Sequence, residues 1–97
     1  MPTYITLLKF TQKGIEKIKE SPSRLDAAKK AIKEAGGEMK AYYLTMGRYD
    51  AVSIIEVPDD ATYAKGMLSI ASKGAIQTET LRAFPEAEYR KIIAALP

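Results

Sequence analysis

Residues 38–57 read Glu38-Met39-Lys40-Ala41-Tyr42-Tyr43-Leu44-Thr45-Met46-Gly47-Arg48-Tyr49-Asp50-Ala51-Val52-Ser53-Ile54-Ile55-Glu56-Val57, two strand-like runs around a glycine. Both runs are dense in aromatic and β-branched side chains, which suit a pleated surface. Gly47-Arg48 between them predicts a two-residue type II′ turn, because glycine at the first turn position supplies the positive φ such a turn needs. The strands then span 38–46 and 49–57, with Met46 opposite Tyr49. In that register one face of the hairpin carries Ala41, Tyr43, Val52 and Ile54, and the other carries Tyr42, Leu44, Met46, Ala51 and Ile55. Neither face is polar enough to be left to water, so the hairpin needs cover on both sides.

Upstream, Thr3-Tyr4-Ile5-Thr6-Leu7-Leu8-Lys9-Phe10 is a short β-branched and aromatic run that predicts a strand. Its two faces, Tyr4, Thr6, Leu8, Phe10 and Ile5, Leu7, Lys9, again give neither side to solvent. Residues 11–36 turn helical, with a break at Ser21-Pro22 that predicts a bent or two-part helix. After the break Leu25, Ala28, Ala31, Ile32 and Ala35 share one face, and Gly36-Gly37 stops the helix. Downstream, Pro58 ends the hairpin and Asp59 caps a helix whose apolar stripe is Tyr63, Ala64, Met67, Leu68 and Ala71. Gly74 closes it, residues 75–84 form a fourth strand, and Pro85 opens a C-terminal helix carrying Tyr89, Ile92, Ile93 and Leu96.

The order β-α-β-β-α-β-α in one domain of 97 residues (1–97) fits a ferredoxin-like α+β fold. Two right-handed crossovers give an antiparallel sheet ordered 4-1-3-2 with both crossover helices on one face. The opposite face is bare and apolar. A second copy packed against it, forming a dimeric α+β barrel, is the expected cover, so the first partner expected is the chain itself, as a homodimer or higher homo-oligomer.

Composition removes whole classes of chemistry. The chain has no Cys and no His, so thiolate or imidazole metal sites, His-ligated haem and His-based triads are out, and no cofactor is expected. Asp59-Asp60 lacks the partners of a calcium loop and reads as a helix cap. A net charge of +3 is mild, and the lysines of the first helical stretch alternate with Glu16, Glu20, Asp26 and Glu34 as on a solvated helix face. Residues 48–55, Arg-Tyr-Asp-Ala-Val-Ser-Ile-Ile, do not supply the Lys/Arg-Gly-aromatic-Gly/Ala-Phe-Val-x-aromatic pattern of an RNA-binding sheet, so nucleic acid is not an expected partner. No apolar run approaches the roughly 18–20 residues that span a bilayer, and the N-terminus lacks a signal-peptide layout; the expectation is a cytoplasmic protein without a membrane partner.

The predicted topology brings the end of the first strand, the hairpin turn and the start of the fourth strand to one edge. That edge gathers Lys9, Tyr43, Arg48, Tyr49, Asp50 and Thr78 as a candidate site for a small organic, anionic ligand. The bland alternative is that Asp50 bonds turn amides and that Tyr43 and Tyr49 are packing aromatics. Glu56 is expected to pair with Arg82.

Gly47-Arg48-Tyr49-Asp50 followed by Glu56-Val57-Pro58-Asp59-Asp60 resembles the GYD-domain family, with Arg48 as an insertion in the turn motif. Thr11-Gln12-Lys13-Gly14-Ile15, Ser21-Pro22-Ser23-Arg24, Gly36-Gly37 and Thr80-Leu81-Arg82-Ala83-Phe84 extend the likeness over nearly the whole chain. The resemblance implies a ferredoxin-like dimeric α+β barrel and no particular reaction or catalytic residue. Barrels of this architecture serve as monooxygenases, isomerases and ligand sensors, so the fold alone does not choose. The expected function is a small-molecule-binding or sensing barrel. The alternatives are a cofactor-independent monooxygenase- or isomerase-like enzyme acting on a small aromatic or organic acid, and a structural oligomerisation module. An enclosed pocket favours the first two and a filled interior the third.

Overall fold

The computed structural model describes residues 1–97. The chain runs β1 (Thr3–Phe10), α1 (Gln12–Glu16), a 3-10 turn (Ile18–Glu20), α2 (Ser21–Glu34), β2 (Glu38–Leu44), β3 (Ala51–Glu56), α3 (Asp60–Ala71), β4 (Ile76–Ala83) and α4 (Glu86–Ala94). Its strands form one antiparallel sheet ordered β2-β3-β1-β4, which from the opposite edge is β4-β1-β3-β2. This is a ferredoxin-like α+β arrangement, with α2 and α3 on the same face.

The two-part helix forms for local reasons. Thr11 caps α1 by accepting from the Gly14 N–H at 3.1 Å, and Pro22 occupies the first turn of α2, where its missing N–H has no partner to lose. Gly14 is there because a Cβ would collide with the Ala75 carbonyl, so only a bare backbone lets α1 close on the start of β4. Asp59 caps α3 by accepting from the Thr62 N–H at 2.8 Å, which also holds its carboxyl below the usual range.

The hairpin turn departs from the sequence prediction. Strand pairing stops at Leu44 and Ala51, and Gly47 sits at φ +144°, far from the roughly +60° of a type II′ turn. The Thr45 N–H still reaches the Asp50 carbonyl at 2.9 Å, but the Thr45 hydroxyl donates to the Tyr49 carbonyl at 2.7 Å. That carbonyl is the acceptor the Met46 N–H would use in a two-residue hairpin, so the loop widens to Met46–Tyr49. From Ala41 onward the register is the expected one, with Tyr43 opposite Val52, while a bulge between Met39 and Ala41 sets Met39 opposite Ile55.

That register sorts the side chains. Facing the helices, Tyr4 and Ile55 form the core with Val57, Ile32 of α2 and Tyr63 of α3, backed by Met39 and Met67. The other face carries Ile5, Leu7, Val52, Ile54, Tyr43 and Leu81 with no element of this chain over it. Glu56 does not pair with Arg82, because Glu56 aligns with Thr3 and Ala83 whereas Arg82 aligns with Tyr4, on the opposite side of the sheet. Arg82 instead lies 3.8 Å from Asp60. α4 extends from the end of β4 with every residue exposed. The radius of gyration, 14.6 Å, exceeds the value of about 12.5 Å for a compact chain of this length, and the long dimension is 52 Å.

Candidate functional site

Between the sheet and α2/α3 lies a cavity of about 620 Å³. Its cause is side-chain size. Thr6 and Ser53 on the sheet face Ala28 and Ala31 of α2 and Gly66 and Ser69 of α3, so small groups meet across a gap that larger ones would fill. Ile32 is the one buried residue of α2 and Tyr63 the one buried residue of α3, and they act as the posts that hold the layers together. A Cβ at Gly66 would meet no atom within 4 Å.

The floor of the cavity is polar and bonded. The Tyr63 hydroxyl lies between Thr6 Oγ1 and Thr80 Oγ1, the latter at 2.8 Å. Tyr63 stacks on Tyr4 with ring centroids 4.1 Å apart and planes 16° from parallel. Tyr4 in turn donates its hydroxyl to Asp60 Oδ1, and the Arg82 guanidinium lies over the Tyr4 ring at 5.5 Å and the Phe84 ring at 4.9 Å. Burial, and next the bond to Asp60, push the Tyr4 phenol up to about 12. At neutral pH it is therefore a donor and not a base. Burial also raises the phenol of Tyr42, which lines the cavity.

One part of the lining is cationic. Lys13 and Lys17 come from α1 and its end, Arg24 from α2, and Lys73 from the turn after α3, with Glu20 the one acid among them. Lys13 Nζ donates to the Lys73 carbonyl at 2.9 Å, and the Thr11 N–H donates to the Ala75 carbonyl at 3.0 Å, so α1 is tied to the α3–β4 turn. No group of three or more carboxylates gathers anywhere in the chain, and no helix is long and apolar enough to cross a membrane.

The residues singled out from the sequence fall elsewhere, and not in one place. Arg48 and Tyr49 line a shallow hollow of about 340 Å³ with Leu7, Thr45, Met46, Gly47 and Val52. Tyr49 donates its hydroxyl to Glu79, which raises its phenol, and Lys9 Nζ lies 5.5 Å from its ring centre. Tyr43 is 61% exposed on the bare face. Thr78 is on the helix side of β4, across the sheet from Lys9 and Tyr49. Asp50 faces β1, where its Oδ2 accepts from the Phe10 N–H at 2.9 Å while its own N–H donates to the Leu8 carbonyl at 2.8 Å. Sequence reasoning missed the cavity, the Thr6–Tyr63–Thr80 hydroxyl row and Arg24. The available signal was the poverty of the α2 face, where Ala28, Ala31 and Ala35 offer little to bury.

The chain is similar to several known proteins. It is 37% identical over 89 residues to the glutamine synthetase and cystathionine beta-lyase binding protein of Thermus thermophilus, covering 91% of this chain and 94% of that protein. The crystal structure of TTHA0845 from Thermus thermophilus superimposes with a TM-score of 0.55 at 26% identity, covering 87% of this chain and 94% of that one. The crystal structure of FFRP-DM1 gives 0.62 at 19% identity over 87% of this chain and 100% of that one, a likeness of fold alone. The GYD domain matches residues 4–93, from the second residue of β1 almost to the end of α4, and the chain belongs to the GYD-domain family.

Proposed function

We propose that this chain is a binding and sensing protein that takes a small organic molecule between its sheet and its helices. The cavity of about 620 Å³ carries the reading: it lies in the size range of small-molecule sites, is mostly apolar, and has a few placed hydroxyls. No carboxylate pair lines the cavity to share acid and base roles, and burial raises the phenol of Tyr42, which does line it, so that it stays protonated at neutral pH.

Gly66→Leu tests the reading. Gly66 lines the cavity and a side chain there would enter open space, and replacing glycine inside a helix gains about 0.5–1 kcal/mol of stability. The variant is expected to be at least as stable as the parent and to lose any small molecule that native mass spectrometry finds on protein purified gently from its own cells. A parent that carries nothing, and shows no thermal shift with small organic acids, alcohols or aromatics, would sink the idea.

Assembly belongs to the same proposal. The apolar bare face and the extended α4, with Ile92 and Ile93 about half exposed, support a homodimer that closes its sheets into an α+β barrel. A role in contacting enzymes is a second reading, favoured by the relative named as a binding protein for glutamine synthetase and cystathionine beta-lyase. Co-purification with tagged protein, repeated with α4 removed, tests it: enzymes retained by the full chain and lost with α4 support it, and an empty eluate counts against it.

A further inference from the structure

Resting on the cavity as the ligand site, we infer that its ligand is a monocarboxylate with an apolar chain or ring, the carboxylate seated on the Arg24 guanidinium and the apolar part against Leu8, Ala28 and Ile70. Arg24 lines the cavity with its guanidinium fixed on one side, where Nη1 donates to the Lys17 carbonyl at 3.2 Å. On the other side Nη2 is buried and has no acceptor in the protein. A buried charged donor without a partner is costly, and an anion of matching planar shape removes that cost with a charge-assisted bond.

The surroundings favour an anion. Lys13, Lys17 and Lys73 line the same cavity, and Glu20 is the one opposing charge. The three ion pairs of the chain, Lys40–Glu38, Arg82–Asp60 and Arg90–Glu86, use none of these groups. Lys13 is already committed to the Lys73 carbonyl, which stiffens the rim and leaves Arg24 as the preorganised donor. The remainder of the lining is mostly apolar, so a fully hydrophilic anion such as phosphate would leave much of the cavity wall without a partner. One carboxylate on a hydrocarbon body suits both parts.

Octanoate and octan-1-ol share a chain and differ in charge, which allows a test without any variant. Calorimetric titration of the full chain is expected to show one octanoate per chain, bound at least tenfold more tightly than octan-1-ol. Arg24→Gln should remove that margin while leaving octan-1-ol affinity and the melting temperature close to the parent values. Gly66→Leu should weaken both ligands. If both ligands bind equally and Gly66→Leu blocks both, the cavity is a ligand site but the carboxylate assignment is wrong. An Arg24→Gln protein that keeps the full octanoate preference also overturns the assignment. If neither binds the parent at millimolar concentration, or Gly66→Leu changes nothing, the cavity reading falls and the inference with it.

Discussion

Across the middle of the sheet the helix-side row is Tyr42, Ser53, Thr6 and Thr80, while the row beside it on the bare side is Ala41, Ile54, Ile5 and Leu81. The covered row is the more polar of the two. Thr6 and Ser53 are 1% and 3% exposed, whereas Leu81, on the uncovered side, is 47% exposed. A one-sided antiparallel sheet ordinarily shows the reverse, with apolar groups under the helices and polar groups toward water. The inversion means that each face lacks something. The bare face lacks a cover, and the helix-side face has hydroxyls to satisfy and volume to fill. Assembly and ligand binding are thus separate consequences of one alternation pattern, and substitutions can separate them.

The largest expected effect is on the bare face. Ile54 sits between Ile5 and Ala41, and a charge placed there would be buried by a partner sheet without a counter-charge. Ile54→Lys should cost several kcal/mol of association free energy and turn an oligomer into monomers. Sedimentation velocity reads the outcome. An oligomer that survives this change is not assembled through the sheet, and the contrast between the faces then needs another explanation.

The helix-side face should respond differently. Tyr63→Phe deletes the hydroxyl between Thr6 and Thr80 and leaves the Thr6 hydroxyl, at 1% exposure, without its partner. The expected loss is about 1–3 kcal/mol of folding stability in denaturant titration, with the sedimentation coefficient unchanged. A neutral result would show that water already reaches the row through the cavity.

How much of this was legible follows from what side-chain pattern encodes. Short runs dense in β-branched and aromatic residues, 3–10 and 49–57, marked strands, and the β-α-β-β-α-β-α order with the handedness of crossovers left one sheet order to choose. The bare apolar face was readable for the same reason, since the period of a strand fixes which residues share a side. Thr45 was not readable as the residue that widens the turn, because its hydroxyl bond to Tyr49 depends on loop geometry and not on turn propensity. Asp50 was recognisable as special, but its commitment to the Phe10 amide lies across strands, 40 residues apart in sequence. Glu56 and Arg82 looked complementary by charge and are separated by the sheet itself. The cavity was hidden because Ala28 and Ala31 count as apolar in any pattern while having no volume to give the core.

The smallest expected effect, and the one most specific to the buried side, is at alkaline pH. Tyr4 is 3% exposed, and burial together with the bond to Asp60 pushes its phenol from 10.0 up to about 12. Between those values the unfolded chain has released the proton and the folded chain still holds it, so folding binds a proton and stability declines as pH rises. Below pH 10 the contribution is fully present, and it is lost as pH climbs through the folded value near 12. Lysines and the other tyrosines also titrate there, so the parent alone is not informative. Tyr4→Phe supplies the reference: it removes this one ionisation while keeping the ring stacked on Tyr63. Denaturant titrations of both proteins from pH 8 to pH 11.5 should show the parent's stability falling more steeply than the variant's above about pH 10. Parallel curves would mean that the Tyr4 hydroxyl reaches solvent in the folded protein, and that the helix layer opens at that end of the sheet as well.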